Sequence, residues 1–478
     1  MTSIEKAMRL IPHIGLDTYL VGGCVRDAVM NIDPHDIDIA TKQDILIIRS
    51  SDLNTYDIGQ SMDFGITGVS FQGEEYEVAQ FRSDGEYTDS RHPDSVKLGA
   101  TITDDAQRRD FTINAMYMDA DGIIHDFHNG QQDIQNKIIR CVGNPTDRFE
   151  EDALRIIRAH RFAARFGFKI DVATKNAMIS KAYKLKNIAA ERISAEMIKV
   201  AGYGGKAMAQ FIEDMIKTDV IRYVLPEIIP TTLYDQYYKH HPEGAMVFDN
   251  KTEKYMPYSK KKHGDTPSGR YVVDNGLVFD HIMAALRTYE GNDPMVTLSI
   301  LFHDIGKPEC AERHPTHLGY KFIGHDRAGV KIFKDIAERL KFSSKMSEEI
   351  SFCIQHHMRF HVIPKKATKI IPIRQSPYWE TMKQVTYADD SCRGEAFDPV
   401  HQKEVMDAIE RIYETFGEKE IFDARIKKLI DGKDVMEAFP DLKGAAIGKT
   451  MAKAKEFIIE HEFKVTKEDV MKFIKENV

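Results

Sequence analysis

The stretch LVGGCVRD at residues 20–27, followed by HDIDIAT at residues 35–41, decides the fold expected for the N-terminal part. An apolar run that ends in Gly22 and Gly23 predicts a strand turning into the helix CVRDAVMN. In HDIDIAT, Asp36 and Asp38 are two residues apart in a β-like run, which predicts that both carboxylates project from one face. Such a pair can bridge two Mg2+ ions roughly 3.5–4 Å apart, although an ordinary turn is the alternative interpretation.

The glycine pair connects these carboxylates to a phosphate-bearing substrate. Backbone N–H groups and the helix dipole at Gly22 and Gly23 can receive a triphosphate, and Arg26, one turn into the helix, can add a positive charge. Glu77, in YEVAQF, is a candidate third catalytic carboxylate, with a solvent-facing strand glutamate as the alternative. The pattern therefore favours metal-dependent transfer of a nucleotide.

Length and composition indicate a soluble protein of several domains. The chain has 478 residues, 42% of them hydrophobic and 29% charged, which predicts two to four domains. It contains no apolar run of membrane-spanning length, and MTSIEKAMRL lacks the features of a secretion signal. The five cysteines are scattered and form no CxxC pair, which is typical of reduced thiols. We therefore expect a cytoplasmic protein.

A local basic run contrasts with the acidic chain, whose formal net charge is −8. Between residues 153 and 189 there are nine Lys and Arg residues and one acid, Asp171. Clustered cations are what phosphate binding requires, while a solvated helical face is the alternative. The basic residues of the run are Arg155, Arg158, Arg161, Arg165, Lys169, Lys175, Lys181, Lys184 and Lys186.

The pattern of elements predicts an α+β fold followed by helical domains. Residues 1–140 mix short β-rich runs with helices and are expected to form the catalytic head. Residues 141–230 have helical periodicity, clearest in EEDALRIIRAHRFAARF, and 231–270 form a polar insertion or loop. Residues 271–395 are helical and rich in histidine, and residues 396–478 form a helical tail.

Five motifs in this order resemble the class II tRNA nucleotidyltransferases (CCA-adding enzymes) and their bacterial poly(A) polymerase relatives. They are LVGGCVRD, HDIDIAT, FRSDGEYTDSRHPDSV, RRDFTINAM and EEDALRIIRAHRFAARFGF, within residues 18–200. The resemblance implies a polymerase-β-like head with all-α neck, body and tail. It implies that Arg109, Asp110 and Asn114 contact the ribose and phosphates of the nucleotide, and that residues 82–97 form a flexible loop.

The same resemblance assigns nucleotide selection to Glu151, Asp152 and Arg155. We expect Asp152, Arg155 and Arg158 to lie along one helix face, where Asp accepts and Arg donates hydrogen bonds like a Watson–Crick edge. Cytosine and adenine fit this order, whereas guanine and uracil leave groups unpaired. A surface salt bridge is the alternative. The basic run is then placed to hold the tRNA acceptor backbone through Arg161, Arg165, Lys169, Lys181, Lys184 and Lys186.

A second set of metal ligands occurs in the histidine-rich region. His-Asp pairs with an upstream His and a downstream Asp suit Zn, Ni, Mn, Fe or Mg. The pattern resembles the HD phosphohydrolase superfamily, which implies a ligand set of His281, His303, Asp304 and Asp389. His325 and His357 match additional positions of two-metal members, and His356 competes with His357. The resemblance implies phosphodiesterase or phosphatase activity, with a purely structural domain as the alternative.

These observations predict an enzyme that adds C, C and A to tRNA from CTP and ATP with Mg2+, acting as a monomer or a homodimer. A poly(A) polymerase or another template-independent RNA nucleotidyltransferase is the nearest alternative. A CC-only enzyme is disfavoured because the loop at residues 82–97 looks complete. An HD nucleotide phosphohydrolase with a vestigial head and a non-catalytic tRNA-binding protein are less favoured, because the ligands of both halves are intact. We expect no membrane partner.

Overall fold

The structure, a computed structural model, describes most of the chain in two compact units. The first comprises residues 1–229 with 339–341, and the second comprises residues 230–338 with 342–478. The finer division into five segments stays a prediction. Most of the expected insertion at 231–270 and of the loop at 82–97 lies outside the described residues. Those described are 2–34, 36–59, 65–85, 96–234, 246–249, 254–257, 277–313, 320–361, 367–392, 398–416, 425–461 and 463–477.

The first unit begins with short strands that alternate with short helices. The strands are β1 (Thr18–Val21), β2 (Asp38–Thr41), β3 (Asn54–Tyr56), β4 (Ile66–Phe71), β5 (Glu74–Gln80), β6 (Arg82–Asp84), β7 (Val96–Leu98), β8 (Met116–Met118) and β9 (Ile124–Asp126). Seven of them form one sheet in the order β3-β4-β5-β2-β1-β8-β9, and β6 pairs with β7. Strands β2 and β5 are parallel, whereas the other pairs of the sheet are antiparallel. The run GVSFQGEEYEVAQF forms the hairpin β4–β5.

Helices cover one face of this sheet. Helix α1 (Ser3–Ile14) begins with a capping box between Thr2 and Glu5, and it buries Ala7, Leu10, Ile11 and Ile14 in the head core. The core also contains Ile39 and Val78 of the two parallel strands. Because alternate strand residues point to opposite faces, burying Ile39 and Val78 leaves Asp38 and Glu77 on the exposed side.

After β9 the first unit is mainly helical, as the sequence predicts. The helices of the first unit that follow α1, including those between the strands, are α2 (Gly23–Val29), α3 (Ile45–Arg49), α4 (Ile102–Gln107), α5 (Gly130–Asn136), α6 (Pro145–Glu151), α7 (Leu154–Phe166), α8 (Val172–Lys181), α9 (Ala190–Ala201), α10 (Gly205–Lys217) and α11 (Ile221–Val224). The short strands Ile138–Ile139 and Lys169–Ile170 pair in parallel. Helix α7 packs on α9 and α10 and ends at Gly167, whose φ of 66° suits glycine.

The second unit is mainly helical, and its described residues include two short antiparallel strand pairs. Strand Met246–Asp249 pairs with Lys254–Pro257, and Glu312–Arg313 pairs with Tyr320–Lys321. Helix Pro294–Phe302 is buried from Val296 to its end. The helices are Val278–Thr288, Pro294–Phe302, His325–Arg339, Ser344–His356, Ala367–Arg374, Trp379–Ser391, Pro399–Phe416, Gly432–Ala438, Ala445–Glu460 and Lys467–Asn477. None of the described helices combines the length and apolarity needed to cross a membrane.

Candidate functional sites

The sheet places two of the predicted head carboxylates side by side. Asp38 opens β2 and is in register with Glu77 of the parallel strand β5, and both residues are exposed. Asp36 is also exposed, with Ile37 buried between the two aspartates. However, β2 begins only at Asp38, so the prediction that both aspartates lie in the strand is wrong for Asp36, which occupies a bend before it.

The charges of these groups make the edge suitable for a cation. The pKa of Asp38 is raised, chiefly because the surrounding protein partly desolvates its carboxylate. The positive charge of Arg109 acts in the opposite direction, and the negative charge of Asp36 adds to the increase. Partial burial and the charge of Asp38 also raise the pKa of Glu77. Repulsion between carboxylates is what a bound divalent cation relieves, and carboxylate oxygens are the donors that Mg2+ prefers. The chemistry of these three acids therefore fits a magnesium site. Among the described residues, however, their oxygens do not all lie within 4.8 Å of one another.

Gly22 allows a close approach at the beginning of α2. Its φ is 74°, and a Cβ there would lie 3.2 Å from Nη1 of Arg109. The N–H of Gly22 donates to the carbonyl of Met116 at 3.2 Å, so this N–H is engaged within the fold. Arg109 itself donates to Asp105 and to the Tyr117 hydroxyl. The structure thus brings Arg109 over the glycine turn, next to the charge of Asp38.

Arg26, Asp110, Asn114 and Arg158 form one hydrogen-bonded network. Asn114 accepts from Nη1 of Arg26 at 2.6 Å and donates to Oδ1 of Asp110 at 3.1 Å. Oδ2 of Asp110 accepts from Nε and Nη2 of Arg158 at 2.9 and 2.6 Å. Burial alone would raise the pKa of Asp110, but the Arg158 charge and these hydrogen bonds lower it to about 2. The ionised carboxylate joins the head to α7.

Arg26 lies inside this network rather than on an open surface. Only 3% of the residue is exposed, and its guanidinium also pairs with Asp27 and lies over the ring of Phe166. In this arrangement Arg26 orients Asn114, and a direct phosphate contact by Arg26 stays a prediction.

The single helix expected from EEDALRIIRAHRFAARF is interrupted at Asp152. Asp152 has extended backbone angles between α6 and α7, and its side chain accepts from the Leu154 N–H at 3.0 Å. The prediction that Asp152, Arg155 and Arg158 share one helix face is therefore wrong for Asp152. Its carboxylate pairs with Arg192 at 2.7 Å, while Arg155 pairs with Glu151 at 2.5 Å. The alternative, a salt bridge between Asp152 and Arg155, is thus not formed, and the templating role of the two residues stays a prediction.

The basic run divides into buried, paired and exposed members. Arg161 is 5% exposed and donates to Glu196 and the Tyr203 hydroxyl, so its expected contact with RNA is not available in this structure. Lys169 and Lys186 are exposed. Three other members of the run carry acidic partners: Arg165 pairs with Asp27, and Lys181 and Lys184 both pair with Glu150.

All six predicted ligands of the second site converge in the interior of the second unit. They form two groups of three whose ligand atoms lie within 4.8 Å of one another, and all of them are buried. The first group is His281, His303 and Asp389, and the second is Asp304, His325 and His357.

Asp304 lies between the two groups. Its Oδ2 is 3.3 Å from Nε2 of His281 and 3.1 Å from Nε2 of His303, and its Oδ1 is 3.3 Å from Nε2 of His325. Burial raises the pKa of Asp304, but the charges of His303 and Lys307 hold it well below its usual range. One ionised carboxylate can therefore bridge two metal ions, one in each group.

Backbone carbonyls set the tautomer of three of these histidines. Nδ1 of His303, His325 and His357 each lies 2.7 Å from a carbonyl three residues earlier in the chain. Because a carbonyl only accepts, Nδ1 carries a proton, and when the other ring nitrogen is deprotonated its Nε2 lone pair faces the centre. Nε2 atoms of His325 and His357 are 3.2 Å apart, a spacing that a shared metal ion would stabilise. The donor set fits a two-metal site.

The structure also selects between the adjacent histidines. His357 is fully buried in the ligand group, whereas His356 accepts from Nε of Arg359 and packs on Phe352. Burial and Arg359 lower the pKa of His356 to about 4. His357 is thus the member of the pair that faces the centre.

Two residues beside this centre were missed in the sequence. His361 lies with Nε2 3.2 Å from Oδ2 of Asp389 and Nδ1 2.8 Å from Oδ1 of Asp390. Burial lowers the pKa of His361, but the two aspartates raise it to about 9. Lys307 places Nζ 2.5 Å from Oδ2 of Asp304. The signals were present in QHHMRFH and HDIGK, one helical turn beyond the assigned ligands.

Three segments of the chain match known protein families. Residues 18–140 match the poly A polymerase head domain, residues 167–231 match the probable RNA and SrmB-binding site of polymerase A, and residues 278–396 match the HD domain. The chain therefore contains a head of the poly A polymerase type, a segment of the polymerase A RNA-binding type and an HD domain. The expected fold class is confirmed.

The similar proteins are CCA-adding enzymes, so the resemblance inferred from the motifs is confirmed. The chain is 47% identical over 182 residues to the enzyme of Staphylococcus saprophyticus, covering 38% of this chain and 45% of that one. It is 41% identical over 208 residues to the enzyme of Limosilactobacillus fermentum, covering 44% and 51%. The matched region thus spans about half the length of these curated relatives.

Solved structures extend the likeness of fold over the whole chain. The Bacillus stearothermophilus CCA-adding enzyme in complex with CTP matches with a TM-score of 0.65 and 21% identity, covering 100% of this chain and 98% of that one. The Thermotoga maritima CCA-adding enzyme complexed with tRNA matches with a TM-score of 0.51 and 18% identity, covering 99% and 94%. At these identities the likeness shows the fold alone.

Proposed function

We propose that the chain adds C, C and A to the 3′ end of tRNA from CTP and ATP. The observation that carries the proposal is the register pair of Asp38 and Glu77, with Arg109 beside it, in a head whose relatives are CCA-adding enzymes. Mg2+ bound by Asp36, Asp38 and Glu77 would activate the tRNA hydroxyl and stabilise the leaving pyrophosphate. Arg109 is placed to attract the triphosphate, and the Gly22 turn keeps that approach open.

Nucleotide selection is assigned to the region where the head meets α7. Asp110 and Asn114 lie next to Arg158 in one network and can orient a ribose by hydrogen bonds. Asp152 and Arg155 supply an acceptor and a donor of the order that cytosine and adenine require. To do so they must exchange their present partners, Arg192 and Glu151, for the base. Selection in this proposal is therefore linked to a rearrangement of ion pairs.

The tRNA backbone is assigned to the exposed cations of the basic run. Lys169 and Lys186 are exposed, and Lys181, Lys184 and Arg165 hold only partly buried ion pairs that phosphates can replace. Arg161 is left out of this assignment because it is buried.

The decisive experiment is incorporation into a tRNA that lacks its 3′ CCA. With CTP, ATP and Mg2+ the product should grow by three nucleotides and stop. A long ladder of A would instead support the poly(A) polymerase alternative. The double substitution Asp36→Ala and Asp38→Ala should abolish addition, and Glu77→Gln should reduce it strongly. Addition that persists in these variants would show that other groups hold the metal.

Selectivity needs its own variant. Asp152→Ala removes the acceptor and should allow GTP and UTP to compete, while the affinity for tRNA stays within a few-fold of the wild type. Arg192→Ala is the matched control, because it frees Asp152 without removing its carboxylate. If Asp152→Ala leaves nucleotide choice unchanged, the assignment of Asp152 is wrong.

A second activity is proposed for the HD centre, because its six buried ligands form two metal groups with a shared carboxylate. These ligands would hold divalent ions, which would supply an activated water for hydrolysis of a phosphomonoester or a 2′,3′-cyclic phosphate, with cleavage of the P–O bond to the leaving alcohol. Hydrolysis of bis-p-nitrophenyl phosphate and of 2′,3′-cyclic AMP with Mn, Ni, Zn, Fe or Mg tests this proposal. His303→Ala should remove hydrolysis and leave CCA addition intact. Equal hydrolysis by the wild type and by His303→Ala would contradict catalysis at this centre and favour a structural role for the HD domain.

A further inference from the structure

A cavity of about 830 Å3 lies in the second unit, apart from the two metal groups. It is formed where helix Val278–Thr288 ends, along helix Trp379–Ser391 and at the beginning of helix Pro399–Phe416. The volume is within the usual range of small-molecule sites, which is roughly 300–1,000 Å3. None of the six HD ligands lines it, and it is in a different unit from the head carboxylates.

Gln402 gives this cavity an unmet hydrogen-bond requirement. The residue is only 5% exposed, and its Nε2 donates to Oδ2 of Asp390 at 3.2 Å. Its Oε1 is buried and has no hydrogen-bond partner within the described residues. A buried amide oxygen left unpaired is unfavourable, so a ligand that brings an N–H donor to this point gains affinity.

The walls and rim define the rest of the ligand. Tyr289, Tyr387 and Met406 contribute ring and apolar surface, which suits a flat heteroaromatic body. Lys383 and Lys403 add two cations. Lys403 is exposed, and Lys383 forms a surface pair with Glu380, of the kind that an anion displaces at little cost. The cavity therefore combines a planar wall, a buried acceptor and a rim on which two lysines, Lys383 and Lys403, outnumber one acid, Glu290.

We propose that this cavity binds a nucleoside monophosphate whose base carries an exocyclic amine, adenine or cytosine. The amine would donate to Oε1 of Gln402, the base would lie against Tyr289 and Tyr387, and the phosphate would contact Lys383 and Lys403. Hypoxanthine and uracil present a carbonyl where adenine and cytosine present the amine, so in the same pose two acceptors, this carbonyl and Oε1 of Gln402, would face each other and lower the affinity. The site is additional to the triphosphate site proposed in the head and does not depend on CCA addition.

Photolabelling of the full chain with 8-azido-AMP locates the site directly. After irradiation and digestion, mass spectrometry should find the label on peptides that contain Tyr289, Tyr387 or residues 399–406. AMP and CMP should compete with the label at least tenfold better than IMP or UMP. Label confined to residues 1–229 would overturn the proposal, and so would equal competition by IMP. Competition by inorganic phosphate alone at the same concentration would reduce the cavity to an anion site and also overturn it.

Two variants and one control complete the test. Lys403→Glu lies at the exposed rim, where it leaves the fold intact, and should lower labelling at least tenfold. Gln402→Met removes the acceptor and should abolish the preference for AMP over IMP. Emission of Trp379, the single tryptophan, should be unchanged and report that the neighbouring helix Trp379–Ser391 is intact. Lys331→Glu, an exposed charge change on helix His325–Arg339, should have no effect. Undiminished labelling in Lys403→Glu, or a preference for AMP retained in Gln402→Met, contradicts the assignment.

Discussion

Replacing Arg158 by Met should open the junction between the head and α7. The pKa of Asp110 is lowered from 3.8 to about 2, chiefly by the charge of Arg158 acting against burial. Because one pKa unit corresponds to about 1.4 kcal/mol, the ionised carboxylate contributes roughly 2–3 kcal/mol at neutral pH. Without Arg158, Asp110 keeps its charge in a buried position, where only 10% of its side chain is exposed. We therefore expect Arg158→Met to lower the local free energy of unfolding by at least this amount.

Hydrogen exchange measures the effect locally, without assuming that the whole chain unfolds in one step. Amides in residues 108–118 should exchange roughly 30- to 150-fold faster in Arg158→Met at pH 7, the equivalent of 2–3 kcal/mol. Adding Asp110→Asn should restore part of the protection, since it removes the orphaned charge. Lys169→Met, at an exposed position, is the control. Unchanged protection in Arg158→Met, or an equal change in Lys169→Met, would refute the reasoning.

The sign of the pH dependence follows from the same shift. A carboxylate whose folded pKa is depressed stabilises the fold above its unfolded pKa, near 4, and loses that contribution as the pH falls toward 2. The difference in stability between wild type and Arg158→Met should therefore be constant from pH 5 to pH 8 and shrink at pH 3. The rate of proteolysis of wild type and Arg158→Met, compared at pH 7 and at pH 3, measures this difference in stability. A difference that is larger at pH 3 than at pH 7 would contradict the assignment.

Three further outcomes are expected. Arg161→Met should destabilise the first unit by about 3–5 kcal/mol, because it leaves Glu196 charged and buried, and should leave tRNA affinity of the folded protein unchanged in filter binding. Gly22→Ala should reduce CTP incorporation at least tenfold, since φ is 74° and the new Cβ meets Arg109, while HD hydrolysis is retained. His361→Gln should weaken Mn2+ binding at the HD centre by about 10- to 100-fold in calorimetry, whereas His356→Gln should not.

The sequence predicted the local parts of the head well because its signals are local. A strand entering a glycine turn, the helix after it and the alternation around Asp38 all depend on neighbours within a few residues. The same local reasoning failed at Asp152, where the periodicity continues through EEDALRII although the backbone does not. An aspartate that caps Leu154 ends one helix and begins the next, and this choice depends on Arg192, forty residues away.

The sequence pattern could not predict which cations are buried or which metal ligand lies between the two groups. Residue types predicted cations along α7, but whether Arg161 faces RNA or Glu196 depends on the packing of α9 against α7. In the HD region the sequence supplied the six ligands, and it could not tell that Asp304 lies between two groups. It also missed His361, since a lone histidine four residues after His357 is an ordinary event in a helix.

The carbonyl contacts of the HD histidines have a consequence for how this centre acquires its metal. Three imidazoles are oriented by the turns of their own chain segments, so their rotational freedom is lost when the chain folds and not when the ion arrives. The centre is thus preorganised: affinity for the ion is built into three short turns and falls when any of them frays. Metal loading should then report on the local order of those turns, making it a sensitive indicator of damage to this domain.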